Sequence, residues 1–321
     1  MKILIVGGTS FVGRAIALSA SRQGYDVTVI NRGVTPSDLP ESVEHLIGDR
    51  GTDLSALSDR SFDATIDTTA YRPSDVARLA GALGDRGGYH LQISSISAYR
   101  DPAGPGATEE SAELHGEDGL DLDGPITGET YGPLKAASER AAAKYFGAAA
   151  AVVRPTYVIG SHDATMRFPY WVQRARRGGV VAAPGPRATN LQYVDARDLA
   201  NFVVGLTGAA TVGAFHVAGP NPAADFVDVV ERVVRRVGPP DTTVQVVEAD
   251  KILAAGLATK MPLWSGGTSE TLLALDSAKA VQHGLFLRAL EDSVDDVVEW
   301  WGDRAWPEQW LSDEEERSLL D

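Results

Sequence analysis

Short runs of apolar, β-branched residues alternate with longer amphipathic stretches over the first two-thirds of the chain. This alternation constrains the fold more than any other feature. Ile3–Val6, Asp26–Ile30, Glu44–Ile47, Ala64–Asp67, His90–Ser94 and Ala151–Pro155 read as strands. Phe11–Gln23, Asp53–Leu57, Pro73–Gly84 and Pro133–Phe146 read as the helices between them. A strand that is apolar on both sides needs cover on both faces, which a parallel sheet flanked by helices supplies. The pattern predicts an α/β fold with a doubly wound parallel sheet, whose ligands sit at the carboxyl ends of the strands.

Two stretches break the rhythm. Residues 100–130 are rich in Gly, Pro, Asp and Glu and read as one long loop. It carries Glu109, Glu110, Glu113, Glu117, Asp118, Asp121 and Asp123. Loops of that length are functional or disordered. A solvated, disordered loop is the simpler reading, and an acidic lid over a substrate mouth is the other. From Ser161 on, a helix around Phe168–Arg177 and strands at Gln192–Val194 and Phe215–Ala218 are followed by a mostly helical remainder from Pro220. The expected organisation is a dinucleotide-binding unit over 1–160, with returning segments at about 188–219. A smaller, mostly helical substrate-binding unit would take 161–187 and 220–321.

Composition narrows the function. The formal net charge of −15 opposes a nucleic-acid partner, because phosphate binding draws on clustered Lys and Arg. No apolar run approaches the roughly 20 residues that cross a bilayer, and MKILIVGG opens on a strand rather than an export signal. A cytoplasmic protein acting on a small molecule is the expectation. The absence of cysteine removes thiolate chemistry, and the histidines have no metal-ligand spacing, so no metal is expected.

The first strand runs into Gly7-Gly8-Thr9-Ser10-Phe11-Val12-Gly13 and then a helix. Glycines at such a turn let the backbone approach a pyrophosphate, and the helix N-terminus offers free N–H groups and a positive partial charge. This makes the expected sheet a Rossmann-type dinucleotide site. After the second strand stands Asn31-Arg32. An NAD site usually holds the ribose with a carboxylate there, whereas an Arg accommodates a 2′-phosphate. The reading is NADP in preference to NAD. Asp49 and Arg50 should border the adenine, and Thr68, Thr69 and Ala70 should lie beneath the pyrophosphate and nicotinamide ribose.

Tyr131 and Lys135 are four apart, hence one turn apart on one helix face. An ammonium near a phenol favours the phenolate and brings it toward a useful acid–base range. Ser94-Ser95 ends a strand at the expected sheet edge and offers a hydroxyl to a substrate oxygen. Among weaker features, Arg174, Arg176 and Arg177, with Arg167 and Arg187, read as a solvated helix face or as a phosphate clamp. Phe168, Tyr170 and Trp171 read as core or pocket lining. Trp300, Trp301, Trp306 and Trp310 read as packing for a C-terminal helix.

With these motifs in order, the chain resembles the extended short-chain dehydrogenase/reductase superfamily, which includes the NAD-dependent epimerases and dehydratases. The resemblance rests on Gly7–Gly13, Ser94-Ser95-Ile96-Ser97-Ala98-Tyr99, Tyr131/Lys135, Arg154-Pro155-Thr156-Tyr157-Val158-Ile159-Gly160 and Tyr193-Val194-Asp195-Ala196-Arg197-Asp198-Leu199-Ala200. It implies that Ser95 is the hydroxyl donor, Tyr131 the acid/base and Lys135 its modulator. Pro155 and Tyr157 would line the nicotinamide and substrate side, with Ser97 and Arg187 as further substrate contacts. Asp195 and Asp198 would fix the domain junction, and relatives often form homodimers. Ser10 stands where the family loop has its middle glycine, as in atypical members that include reductase-like and chloroplast RNA-binding proteins. Three activities follow: a reductase or dehydrogenase, a redox-neutral sugar-nucleotide epimerase or dehydratase, and a non-catalytic dinucleotide- or RNA-binding relative. Arg32 favours the first, while the complete triad and the acidity oppose the third.

Overall fold

The computed structural model of the protein describes residues 1–100, 104–147, 150–264, 266 and 273–321. The start of the long loop, 101–103, lies outside the described residues, as do 265 and 267–272 in the expected substrate-binding unit. The elements run β1 (Lys2–Val6), α1 (Phe11–Arg22), β2 (Asp26–Asn31), β3 (Glu44–Ile47), β4 (Ala64–Asp67), α2 (Pro73–Leu83), β5 (Tyr89–Ile93), α3 (Tyr131–Phe146) and β6 (Ala150–Pro155). They continue with β7 (Tyr157–Ile159), α4 (Arg167–Arg176), β8 (Val180–Pro184), β9 (Asn190–Leu191), β10 (Tyr193–Asp195), α5 (Ala196–Gly208) and β11 (Gly213–Val217). The last are β12 (Ala224–Asp225), α6 (Phe226–Val237), β13 (Thr243–Val247), α7 (Ala249–Ala254), α8 (Ala278–Gln282), α9 (Leu290–Trp301) and α10 (Asp313–Leu320).

Seven strands form one sheet in the order β11-β6-β5-β4-β1-β2-β3. Every pairing is parallel, with Ile3 beside Val27 on one side and Ala64 on the other. The strand order reverses between β1 and β4, and a doubly wound sheet opens its ligand crevice at that point. The apolar runs are buried as expected: Ile3, Leu4, Ile5, Val29 and Ile66 are inaccessible to solvent. A second apolar cluster gathers α4, α6, α9 and α10, with Phe168, Tyr170, Trp171, Phe226, Trp301 and Trp310 at its centre. Trp301 stacks on Trp310 with ring centroids 5.2 Å apart, and Trp310 meets Tyr170 edge-on. Phe168, Tyr170 and Trp171 are therefore core residues, not pocket lining.

Two expectations change, and one strand was not foreseen. The helix expected over Asp53–Leu57 is only a 3₁₀ turn, Ser55–Leu57. Asp53 Oδ1 accepts from Ser55 N at 2.8 Å, a local bond that competes with an α-helical start. The remainder from Pro220 contains a strand, β13, which lies parallel to β8 with Thr243 beside Val180. The described part of the acidic loop is tied to the body. His216 N donates to Glu109 at 2.7 Å, Arg140 to Glu117 at 2.5 Å, and Arg72 to the Gly124 carbonyl at 2.9 Å. Among the described residues, no helix is long and apolar enough to cross a membrane.

Candidate active site

Two adjoining clefts open at the carboxyl ends of β1 and β4, and Gly7, Ser10, Thr69 and Tyr71 line both. The first, about 430 Å³, includes Asn31, Arg32, Asp49, Arg50 and Arg72 in its walls. The second, about 520 Å³, includes Phe11, Val12, Gly13, Thr68, Ser95, Ser97, Tyr131, Lys135, Pro155 and Tyr157.

The glycine turn is built for close approach. Gly7 has φ +90°, and a Cβ there would lie 2.4 Å from Thr69 Cγ2. A Cβ on Gly13 would lie 2.1 Å from the Gly7 carbonyl oxygen, so only glycine lets α1 start this close to β1. The Ser10 side chain makes no cap, and the first turn of α1 holds no acidic residue. The helix terminus is left able to receive an anion. In the first cleft, Asn31 Oδ1 accepts from Gly33 N at 2.7 Å, while its Nδ2 is buried without a partner. Arg32 is exposed and has no partner among the described residues. A dinucleotide fits these residues: an orphaned donor, an open cation and a glycine cradle lie along one continuous groove. The third residue of the turn, Thr9, and Gly8 complete it, Gly8 packing against Val29.

Arg50 does not offer its charge to that groove. It makes a forked pair with Asp67, at 2.7 and 2.9 Å, and donates to Thr69 Oγ1 at 2.8 Å. Burial alone would raise the Asp67 carboxyl, but the Arg50 guanidinium holds it below the ordinary carboxylate value. This pair braces the floor between the ends of β3 and β4.

Tyr131 is the first residue of α3. Gly132 sets its position, since a Cβ there would lie 2.1 Å from the Ser97 carbonyl oxygen. The helix therefore starts directly against the segment carrying Ser95. Burial pushes the Tyr131 phenol above its ordinary value, while hydrogen bonding with Ser95 and the charge of Arg167 act the other way. Ser95 Oγ also accepts from Ser97 N at 3.1 Å and donates to Ser97 Oγ at 3.2 Å.

Lys135 is held by backbone carbonyls. Its Nζ donates to the carbonyls of Ile93 at 2.7 Å and Ala70 at 3.0 Å. It also lies 5.2 Å from the centre of the Tyr71 ring. Burial draws its pKa down to about 8, against the opposing charges of Asp67 and Glu139. Ala70 is fully buried and acts here through its carbonyl rather than as cleft wall. Below the cleft, Arg154 forms a buried pair with Glu139 at 2.6 Å, and Ser94 donates to the same carboxylate.

Arg187 is not brought to the site. It is exposed and paired with Asp228 and Glu231, because the turn after β8 delivers it to α6. Arg174, far from solvated, is buried against Glu316 at 2.6 Å, and Arg177 pairs with Asp313. None of the acidic residues of the long loop lines either cleft. Asp195 accepts from Ser293 on α9, and Asp198 accepts from Arg288 just before it. Sequence reasoning missed Tyr71, whose ring centre lies 6.3 Å from that of Tyr131; of the basic stretch it singled out, Arg167 lines the second cleft. Tyr71 directly follows the Thr68-Thr69-Ala70 strand end, a position that could have drawn attention to it.

The family model described as "NAD dependent epimerase/dehydratase family" matches residues 3–218. The 2-alkyl-3-oxoalkanoate reductase of Stenotrophomonas maltophilia (strain K279a) is 25% identical over 263 residues, 75% of this chain and 77% of that one. The chloroplast stem-loop binding protein of 41 kDa b from Arabidopsis thaliana is 31% identical over 114 residues, 30% of each chain. The structure of UDP-glucuronic acid 4-epimerase from Bacillus cereus in complex with NAD superposes with TM-score 0.66 at 17% identity, covering 95% of this chain and 99% of that one. At that identity the likeness is one of fold. The match over 3–218 takes in the crevice, the glycine turn and the Ser95/Tyr131/Lys135 constellation, and the chain belongs to the NAD-dependent epimerase/dehydratase family of the extended short-chain dehydrogenase/reductase superfamily.

Proposed function

We propose that this protein is a reductase or dehydrogenase that interconverts a carbonyl and a secondary alcohol on a small molecule. The carrying observation is the adjacency of Ser95 and Tyr131 in a cleft continuous with the one that holds Arg32. When bound, the nicotinamide dinucleotide supplies or accepts the hydride. The Ser95 hydroxyl donates a hydrogen bond to the substrate oxygen. Tyr131 gives that oxygen a proton in reduction and takes it back in oxidation. Lys135 is a positioning residue: its two carbonyl bonds lock α3 to the ends of β4 and β5 and keep a positive charge under the Tyr71 ring.

NADP is the proposed cofactor. Arg32 has no competing carboxylate at the end of β2, and Thr35 shares its wall of the first cleft. The likeness to a reductase over three-quarters of the chain supports net redox chemistry. The test is to denature the purified protein and identify any released nucleotide by mass spectrometry. Stoichiometric NAD⁺ would favour a retained cofactor and the redox-neutral reading. An empty protein that binds NADPH more tightly than NADH, and oxidises NADPH when given a ketone, would support the reductase.

A further inference from the structure

The second cleft does not end at Tyr131. Tyr157, Thr165 and Arg167 line it and also line a further chamber of about 350 Å³. Met166, Met261, Leu263, Trp264 and Trp310 form its apolar walls. Flexible thioethers beside rigid indoles make a wall that adapts to a chain of varied shape.

Besides Tyr157 and Thr165, the polar residues facing this space are Arg167, Lys260, Thr259, Gln309 and the Trp264 indole. Lys260 is neutralised by Glu315 at 2.6 Å. Trp264 is buried, and its Nε1–H has no partner among the described residues. Arg167 spends its Nε on Thr165 Oγ1 at 2.9 Å, stands 4.0 Å from the Asp163 carboxylate and lies over the Tyr157 ring at 5.5 Å. Its two terminal nitrogens have no hydrogen-bond partner among the described residues. A buried donor left unpaired is costly, so the chamber calls for an acceptor. The two terminal nitrogens of Arg167 and the Trp264 indole match the acceptor oxygens of a carboxylate. A diphosphate would need further cations, and Arg174, Arg177 and Arg187 line neither this chamber nor the cleft.

We infer that the site takes an oxo or hydroxy carboxylic acid with an apolar tail, its carboxylate at Arg167 and Trp264 and its tail in the chamber behind them. This substrate class rests on the reductase reading, but its test does not depend on turnover. Binding of octanoate, octanol and UDP-glucose to the full chain would be measured by calorimetry. Octanoate should bind at least tenfold more tightly than either of the others. Arg167→Gln and Trp264→Phe, the latter keeping an aromatic ring while removing the donor, should each weaken octanoate several-fold or more and leave octanol nearly unchanged. Tighter binding of UDP-glucose, or indifference of octanoate to both substitutions, would overturn the inference. Octanoate binding as described without reduction of 3-oxooctanoate by NADPH would uphold the ligand class and sink the reductase reading instead.

Discussion

Lys135 and Ile93 are joined by a hydrogen bond of 2.7 Å from the buried ammonium to the last carbonyl of β5. The ammonium thus belongs to the sheet as much as to the phenol one turn away. Its burial makes the bond a contributor to pH dependence. With a pKa near 8 in the folded chain against 10.5 for an ordinary lysine, the folded state loses this proton first. Below pH 8 the cost of burying the charge is present in full. Between 8 and 10.5 the unfolded chain binds more protons, so stability rises with pH. Urea denaturation of the wild type and Lys135→Met should show the wild type gaining on the variant across that window, by at most about 3 kcal/mol. A constant difference would mean that Lys135 titrates normally.

Tyr131→Phe removes the proposed proton donor and little else. Steady-state turnover should fall by about 10² to 10⁴-fold, while NADPH affinity, read by fluorescence titration, stays within a few-fold. Activity within a few-fold of the parent would contradict the assigned role.

Arg32→Ala should separate the two nicotinamide cofactors. The loss of a charge-assisted contact with a 2′-phosphate weakens NADPH by roughly tenfold or more and leaves NADH almost untouched. An equal loss for both would show that Arg32 reads some shared part of the dinucleotide.

Gly13→Ala places a methyl group 2.1 Å from the Gly7 carbonyl oxygen, so either α1 or the turn must move. Dinucleotide affinity should drop more than tenfold even where circular dichroism reports a folded chain. Unchanged affinity would mean that the turn has slack the geometry does not suggest.

Glu139→Ala leaves Arg154 buried without its carboxylate and Ser94 without its acceptor. Breaking a buried pair from one side costs about 3–5 kcal/mol, which urea unfolding would resolve. A cost under about 1 kcal/mol would show that water or Tyr99 takes over the guanidinium.

Much of this site was legible because its signals are local. The glycine turn, Ser95 before Tyr99, and Tyr131 ahead of Lys135 are each defined by spacing within one turn or strand end. What escaped depends on chain segments meeting from afar. The carbonyls that hold Lys135 come from residues 65 and 42 positions away. Arg50 lines the first cleft, yet its partner Asp67 sits at the end of another strand, and that pairing, which makes it a brace, has no local signal. Arg174 and Arg187 share a basic stretch but meet different carboxylates, one buried in α10 and one exposed on α6. Charge pattern alone carries no information about which acid waits opposite.

The ladder of β8 with β13 has a consequence for how the chain assembles. In the main sheet, β1 meets β2, β2 meets β3, and β4 meets β5, so most pairings form between neighbours as the chain extends. Val180 must wait for Thr243, across the intervening helices α5 and α6, the last main-sheet strand β11 and the short strands β9, β10 and β12. Closing that loop costs entropy before any contact repays it. The Rossmann half can therefore mature while the edge of β8 is still bare, and a chain halted at that stage exposes Val180–Val181–Ala182 to pairing with another copy. Substitutions in α6 that slow this closure would show themselves as aggregation during refolding rather than as a defect of the finished fold.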